Sequence, residues 1–360
     1  MISRLTLVSR MLALTLCVAA ALLSDLRQVQ AGPVAIAPYT LATLRKLVPP
    51  EGATQPDDLA VTADGADLWI GYGNGVDTTG KGGPSNVVEY DLSSGAVLQN
   101  LSIPGHVDGL KINPTTNDVW ANENEDSNPT LAIINHNTDA FTIYTFSPTL
   151  ITGGLDDLVF SGPNSTDVFI VASSQVDTTK PVIVQISGKL MTDTVVTSTL
   201  PGAPPTVWNV VTNAAETTDK IGDPDSMTLD PDGELVLDNR SDHSLYIVRG
   251  PGAPNSVLRV PLTLSGKVVE VNDTIFTTSA TNGVTSTAGV IYITDTTANV
   301  IYSLTKPYFP VNEVYTAANV VGDVGLVDLN TGIVTPVATG FQGVHGLAFS
   351  PTSVAVAPGS

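Results

Sequence analysis

The sequence is poor in cysteine and in basic residues. Its one cysteine, Cys17, lies near the N-terminus, so disulfides and cysteine-based metal or redox sites are excluded from the rest of the chain. Lys and Arg together number 15 against 35 Asp and Glu, which gives a net charge of −20. Such a surface repels nucleic acid and anionic lipid and attracts cations. We therefore expect no nucleic-acid partner.

Several catalytic motifs are also absent. The sequence has no Gly-x-Ser-x-Gly elbow, no His-Glu-x-x-His motif, no Walker loop and no Gly-x-Gly-x-x-Gly run. These absences argue against serine hydrolases, zinc proteases and nucleotide-binding enzymes. After the N-terminal segment, no stretch reaches the roughly 18 uninterrupted apolar residues typical of a transmembrane helix, so we expect no membrane span in the mature chain.

The N-terminal segment, residues 1–31, has the features of a secretory signal peptide. Arg4 and Arg10 flank the apolar run Met11–Leu23, and the segment ends in Val-Gln-Ala, a small-residue cleavage site. The run is shorter than the roughly 20 residues that a membrane span needs. We therefore expect a secreted or periplasmic protein in which residues 32–360 form a single domain.

The rest of the sequence is dominated by short alternating strands rich in Val, Ile, Thr and Tyr, separated by turn residues. One unit recurs, most clearly at residues 223–240, where an acidic turn and a strand lead to a Pro-Asp-Gly turn and a second strand. In each copy a polar residue stands two positions before the first apolar residue of the first strand; these residues are Asp57, Asp108, Asp156, Asp225, Asp273 and His345. A strand-rich repeat of roughly 40–50 residues is typical of β-propeller blades.

We therefore predict an all-β fold, a β-propeller of six four-stranded blades, with seven blades as the alternative. The first three copies read as four-stranded meanders over residues 57–103, 108–146 and 156–200. The last inner strand, Gly346–Ser350, comes close to the C-terminus, so we expect the N-terminal segment Tyr39–Val48 to supply the outer strand of that blade. This closure leaves no open sheet edge.

Two intervals are too long for one blade. Pro201–Ile221 reads as an excursion over one face of the propeller. Residues 306–323 read as an insertion, and an extra hairpin follows at Val324–Leu329 and Ile333–Ala338. The second interval fits either an enlarged fifth blade or a further degenerate blade.

The repeated acidic residues should converge at one mouth of the central channel, because the turns that enter the inner strands surround that mouth. Close carboxylates cannot all stay ionised unless a cation neutralises them, and Ca²⁺ prefers oxygen ligands. We predict Asp57, Asp108, Asp225 and Asn239 as metal ligands, Asp156 and His345 as catalytic residues, and Arg240 and Asn122 as substrate-binding residues. The alternatives are that each Asp only caps a turn, and that Arg240 only pairs with Asp238 or Asp242.

One stretch, Pro224–Leu235, resembles the P-D-G-M…D-x-x-G-x-L signature of gluconolactonase/paraoxonase-like six-bladed propellers, also called the senescence-marker-protein group. Val107–Leu110 and Val344–Leu347 resemble the inner-strand starts of that group and of NHL-type repeats. The resemblance implies a channel Ca²⁺ and hydrolysis of lactones or esters.

The resemblance carries over to single residues only in part. Asp225 matches the metal-binding Asp of the group. Asp57 stands where the group has a Glu, Asp108 stands where it has an Asn, and Ser226 replaces the usual Gly.

The function expected from these observations is an exported calcium-dependent hydrolase of lactones or esters, with the metal in the channel. The alternative is a non-catalytic exported propeller that binds a protein or glycan ligand or serves as a scaffold. A lyase or phosphate-ester enzyme, resembling the virginiamycin B lyase or propeller phytase groups, is a third reading, and the scarcity of Lys and Arg argues against the phytase version. We expect a monomer.

Overall fold

The computed structural model describes residues 32–146, 153–161, 167–172, 180–187, 195–201, 206–216, 221–249, 255–278 and 285–352. These residues form strands, turns and irregular segments, and none of them lies in a helix. The all-β prediction is confirmed. Across the same ranges, no helix is long and apolar enough to cross a membrane. The predicted signal peptide lies outside the described residues.

Sheets 1, 2 and 3 are antiparallel meanders of four strands, formed in chain order from the innermost strand outward. Sheet 1 contains β3 (Pro56–Val61), β4 (Asp67–Tyr72), β5 (Pro84–Asp91) and β6 (Val97–Pro104). Sheet 2 contains β7 (Val107–Ile112), β8 (Val119–Glu123), β9 (Thr130–Ile134) and β10 (Phe141–Thr145). Sheet 3 contains β11 (Leu155–Ser161), β12 (Asp167–Ala172), β13 (Pro181–Ser187) and β14 (Val195–Pro201). The three meanders predicted from the sequence are confirmed.

Sheet 4 carries an additional hairpin at its outer edge. Its meander contains β17 (Pro224–Leu229), β18 (Leu235–Asn239), β19 (Ser244–Val248) and β20 (Val257–Pro261). The hairpin consists of β15 (Val207–Asn209) and β16 (Ala214–Glu216), and β15 pairs in parallel with β20. The described part of Pro201–Ile221 was predicted to cross a propeller face. That prediction is wrong, because this part forms β15 and β16, which extend sheet 4 at the edge of β20.

Sheets 5 and 6 exchange segments of the chain. Sheet 5 contains β23 (Asp273–Phe276), β27 (Val314–Ala318), β28 (Asp323–Asp328) and β29 (Ile333–Thr339), and its outer edge adds β1 (Val34–Ala35), β21 (Thr263–Leu264) and β22 (Lys267–Val268). Sheet 6 contains β30 (Val344–Thr352), β24 (Ser286–Asp295), β25 (Val300–Thr305) and β2 (Thr40–Thr43), with β26 (Phe309–Pro310) beside β24. After β23 the chain leaves sheet 5, builds the two middle strands of sheet 6, and then returns.

This exchange explains the long interval in the sequence. The hairpin predicted as extra, at Val324–Leu329 and Ile333–Ala338, forms the outer half of sheet 5. The interval 306–323 contains β26 and the return strand β27. The predicted closure is confirmed, because Thr40–Thr43 pairs with β25 as the outermost strand of the sheet whose innermost strand is β30.

The innermost strands β3, β7, β11, β17, β23 and β30 lie side by side in that order, and β30 lies next to β3. This closed ring confirms the propeller prediction. Apolar side chains pack between neighbouring sheets: Trp69 of sheet 1, for example, is 1% exposed and lies in one cluster with Leu110 and Ala121 of sheet 2. The core is therefore divided between the sheets, and polar side chains gather in the channel where the innermost strands begin.

Five of the innermost strands begin with a β-bulge. The pairing register shifts between Pro56 and Leu59, Val107 and Leu110, Leu155 and Leu158, Pro224 and Met227, and Val344 and Leu347. A bulge leaves residues unpaired and redirects their side chains. Each of these strands can therefore present two consecutive residues at the channel, whereas β23 pairs with β27 from Asp273 onward without a shift.

Candidate metal centre in the channel

The bulges arrange polar residues in two layers along the channel. The upper layer consists of Asp57, Asp108, Asp156, Asp225, Asn272 and His345. The lower layer consists of the next residue of each strand: Asp58, Gly109, Asp157, Ser226, Asp273 and Gly346. Eleven of these twelve residues, all except His345, surround a space of about 20 Å³. A space of this size holds one ion or one water molecule.

The structure corrects the register of the fifth copy. Asp273 was predicted to align with Asp57, but its Oδ2 accepts the backbone N–H of Leu347 at 2.6 Å. Asp58 Oδ2 accepts the N–H of Leu110 in the same way, at 2.7 Å. Asp273 therefore belongs to the lower layer. The prediction was displaced by one residue because β23 has no bulge.

The predicted acidic residues of the upper layer lie close together. Carboxylate oxygens of Asp108, Glu125 and Asp156 lie within 4.8 Å of one another, and ligand atoms of Asp57, His106 and Asp108 form a second such group. Asp156 is in turn within hydrogen-bonding reach of Asp225. The structure thus brings together the residues predicted from the repeat, and it adds Glu125.

The electrostatics of this cluster are unfavourable without a cation. Burial, followed by the charges of Asp57 and Asp225, raises the pKa of Asp108 well above its usual value. Burial raises the pKa of Asp225 to about 8, although Arg240 opposes the shift. The charge of Asp108, followed by burial, raises the pKa of Glu125 to about 9. Close like charges and loss of hydration are the physical causes.

Three of these carboxylates each have a buried oxygen that no hydrogen-bond donor among the described residues reaches: Asp108 Oδ2, Asp156 Oδ2 and Asp225 Oδ2. Buried acceptors in folded proteins are almost always satisfied. A divalent cation would satisfy all three, since carboxylate oxygens are the preferred ligands of Ca²⁺. The residues present therefore fit a hard divalent ion.

His345 and Asp57 form a dyad at the edge of the upper layer. His345 Nδ1 lies 3.0 Å from Asp57 Oδ1 and 3.4 Å from Asn272 Nδ2. Because an ionised carboxylate can only accept, Nδ1 carries a hydrogen when Asp57 is ionised, and Nε2 is the second ring nitrogen. Burial alone would lower the pKa of His345, but the carboxylate of Asp57 raises it overall. Burial would raise the pKa of Asp57, and His345 reverses that shift. The pair therefore favours an ionised Asp57 that orients the imidazole.

Arg240 lies beside the upper layer, but its partners differ from those expected. Its Nε and Nη2 both lie 3.0 Å from Glu270 Oε1, and its Nη1 lies 3.8 Å from Asp225 Oδ1. The expected pairing with Asp238 or Asp242 is wrong, because Glu270 holds the guanidinium against the rim.

Two further predicted residues lie outside the cluster. Asn239, the last residue of β18, is fully buried; its amide donates to Asp242 in the following turn and accepts the N–H of Asp223, which precedes β17. Asn122 is also fully buried, and neither end of its amide has a hydrogen-bond partner among the described residues. Neither residue surrounds the space enclosed by the carboxylates.

The lower layer was missed by the sequence argument. Asp58 and Asp157 directly follow the predicted acidic residues, and together they hold the ammonium of Lys111: Nζ lies 2.8 Å from Asp58 Oδ2 and 2.9 Å from Asp157 Oδ1. The consecutive Asp-Asp-Leu sequences at these two strands were the signal that could have revealed the layer. Glu125, which lies beyond β8, carried no comparable signal.

Comparison with known proteins gives distant likenesses only. No protein-family model matches the sequence, and no curated protein matches it. A solved streptogramin B lyase structure is 14% identical with a TM-score of 0.47, over 86% of this chain and 90% of that one. Virginiamycin B lyase from Staphylococcus aureus is 12% identical with a TM-score of 0.43, over 88% and 89% of the two chains. A Bacteroides caccae protein of unknown function is 10% identical with a TM-score of 0.44, over 82% and 86%. These values assign the chain to no family.

Proposed function

We propose that the chain is an exported enzyme that holds a divalent cation, Ca²⁺ by preference, in its upper layer and hydrolyses lactones or other esters. The observation that carries the proposal is the set of buried, unsatisfied oxygens on Asp108, Asp156 and Asp225. Glu125 lies close enough to Asp108 and Asp156 to add a fourth carboxylate. Water and backbone oxygens would complete the six to eight ligands that Ca²⁺ takes.

The residues around the ion supply the remaining chemistry. When bound, the cation would polarise the ester carbonyl as a Lewis acid. His345 then takes a proton from the attacking water at Nε2, while Asp57 holds the Nδ1–H and stabilises the imidazolium. The proton passes to the departing alkoxide, so one ester and one water give one acid and one alcohol. The direct contact between His345 Nδ1 and Asp57 supports this division of roles.

A specific observation favours a second candidate function, a non-catalytic propeller that binds a protein or glycan ligand. The space enclosed by the carboxylates is about 20 Å³, which suits an ion but not a substrate. A substrate would have to lie above the ion at the open mouth. If the ion is only structural, that mouth becomes a binding surface.

Metal analysis and turnover distinguish the two functions. The protein should be stripped with EDTA, reloaded with Ca²⁺ or Mg²⁺, analysed for bound metal, and assayed against a panel of lactones and esters. We expect Asp156→Asn to lose both the ion and turnover, and His345→Gln to keep the ion and lose turnover. Bound ion without turnover on any substrate would favour the second function. Absence of any bound divalent ion would refute both the metal centre and the hydrolase.

A further inference from the structure

The lower layer has the geometry of a second cation site, distinct from the upper layer. Its carboxylates come from alternate innermost strands: Asp58 from β3, Asp157 from β11 and Asp273 from β23. The strands between them contribute Gly109, Ser226 and Gly346 at the corresponding positions. A Cβ on Gly109 would approach Asp157 Cα to 2.5 Å, and one on Gly346 would approach Asp58 Cα to 2.9 Å. Small residues therefore allow the acidic strands to come close.

Backbone donors hold each of these carboxylates in place. The N–H groups of Leu110, Met227 and Leu347 donate to Asp58, Asp157 and Asp273, at 2.7, 3.0 and 2.6 Å respectively. Each bond joins one innermost strand to the next one. The carboxylates are thus positioned by the strands themselves and do not depend on a ligand for their orientation. Fixed oxygen atoms of this kind are typical of cation sites.

A cation of the chain itself lies among them. The Lys111 ammonium contacts Asp58 at 2.8 Å and Asp157 at 2.9 Å, and Asp273 is close enough to act on its charge. Lys111 comes from β7, whose own lower-layer residue is Gly109. Its side chain is 25% exposed, whereas that of Asp157 is 2% exposed.

The layer also divides the channel. Beyond it lies a second cavity, of about 190 Å³, whose lining is mostly apolar and includes Lys111, Leu59, Met227 and Leu347. The small space that both layers surround is, by contrast, lined mainly by carboxylates. Lys111 contacts both compartments, because it lines the apolar cavity and bonds to the acidic residues above it.

We propose that the lower layer is a second cation site of this propeller, filled permanently by the Lys111 ammonium in place of an exchangeable ion. The lysine neutralises buried carboxylates that would otherwise require a free cation. It also separates the upper layer from the apolar cavity, so that ions and ligands reach the upper layer only from its own mouth. Removing the ammonium should leave a site that accepts an alkylammonium or a small inorganic cation from solution.

Lys111→Ala tests this proposal, with butylammonium chloride as the probe. The variant lacks both the charge and the methylene chain, and butylammonium replaces both. We expect its Tm at pH 8 to fall by about 4–7 °C, since a buried ion pair loses one partner. Butylammonium should restore most of the loss in a saturable manner, and tetramethylammonium, which has no N–H donor, should not.

Two further variants serve as controls. Lys111→Met removes the charge but fills most of the volume, so it should be destabilised and gain little from butylammonium. Lys267→Ala removes an exposed lysine of β22 and should match the unmodified protein in every salt. Elemental analysis in Ca²⁺ should show one more bound ion in Lys111→Ala than in the unmodified protein.

The unmodified protein and the variants have the same upper layer. Any difference between them in Tm or in bound cations therefore reports on the lower layer alone. Cation-dependent recovery of Lys111→Ala, including recovery of folded protein only when butylammonium is present, supports the proposal. A folded variant that binds no additional cation and whose Tm ignores every salt overturns it. A variant that fails to fold with every cation overturns it as well.

Discussion

Replacing Asp156 by Asn should have opposite effects on the ion-free and the ion-loaded protein. In the ion-free protein Asp156 lies within 4.8 Å of the carboxylates of Asp108 and Glu125. At that distance each ionised pair costs about 3.5 kcal/mol with an effective dielectric constant of about 20. The cluster can bind protons instead, which costs about 5–6 kcal/mol per carboxylate at pH 8, given an unperturbed pKa near 4.

Asn at this position removes one of the crowded charges and keeps the shape of the side chain. We therefore expect the ion-free variant to be more stable than the ion-free unmodified protein by about 2–5 kcal/mol at pH 8. For a chain of this size that corresponds to a rise of about 3–7 °C in Tm. The stabilisation by Ca²⁺, about 2.7 kcal/mol when the ion is present at a hundred times its Kd, should largely disappear in the variant.

The assay is thermal unfolding in EDTA and in millimolar CaCl₂, for the unmodified protein, Asp156→Asn and the control Asp232→Asn. Asp232 lies on an exposed turn, and its variant carries the same Asp-to-Asn substitution. The Tm of this control should match that of the unmodified protein in both buffers. If Asp156→Asn is destabilised in EDTA and retains the full Ca²⁺ shift, the carboxylates are neither crowded nor ion-binding, and the reasoning about the upper layer is refuted.

Three further predictions concern charges around the channel and between the sheets. Ca²⁺ affinity should weaken as the pH falls below about 8, by about tenfold per pH unit for each displaced proton. The reason is that Asp225 and Glu125 have raised pKa values, so both bind protons in competition with the ion. Calorimetric titrations from pH 6 to 9 that give a constant Kd would contradict this. Arg240→Met should tighten Ca²⁺ binding about fivefold, because it removes a positive charge 3.8 Å from Asp225, and unchanged or weaker binding would argue against an ion beside that carboxylate. Burial raises the pKa of Glu89 to about 7, so its stabilising contribution is complete below pH 4.5 and is lost as the pH rises through 7. Between pH 5 and 8 the free energy of unfolding of Glu89→Gln should therefore rise by roughly 1–2 kcal/mol relative to the unmodified protein. Parallel stability–pH curves from urea unfolding would disprove the assignment.

The sequence predicted the fold where structure is local. Alternating strands and turn residues are read within a few positions, so the first three meanders were found with nearly correct bounds. The upper layer was also predictable, because an equal offset in each repeat places Asp57, Asp108, Asp156 and Asp225 at the same height in the ring. The N-terminal outer strand followed from the need to close the sheet edge.

The parts that were missed depend on contacts that no local pattern shows. The absence of a bulge in β23 moved Asp273 down by one layer. The exchange between sheets 5 and 6 depends on pairings between distant residues. The period of the sequence repeat does not show whether a strand pairs within its own sheet or in the neighbouring one. Glu125 and Glu270 reach the mouth from loops, and their partners are set by the ring as a whole.

The exchange of segments between sheets 5 and 6 also affects the order in which the chain can fold. The first strands of the domain, β1 and β2, pair with β29 and β25, and the innermost strand of sheet 6, β30, follows every other strand of the described residues. Sheets 1 to 3 can form as the chain emerges, whereas sheets 5 and 6 cannot be completed until β29 and β30 have been synthesised. Such non-local pairing slows folding and leaves strand edges exposed until the ring closes. Removal of the residues after Gly343 should therefore do more than shorten one sheet: it would leave β24 without its inner partner and β3 without one of its two neighbours in the ring, and the ring would remain open.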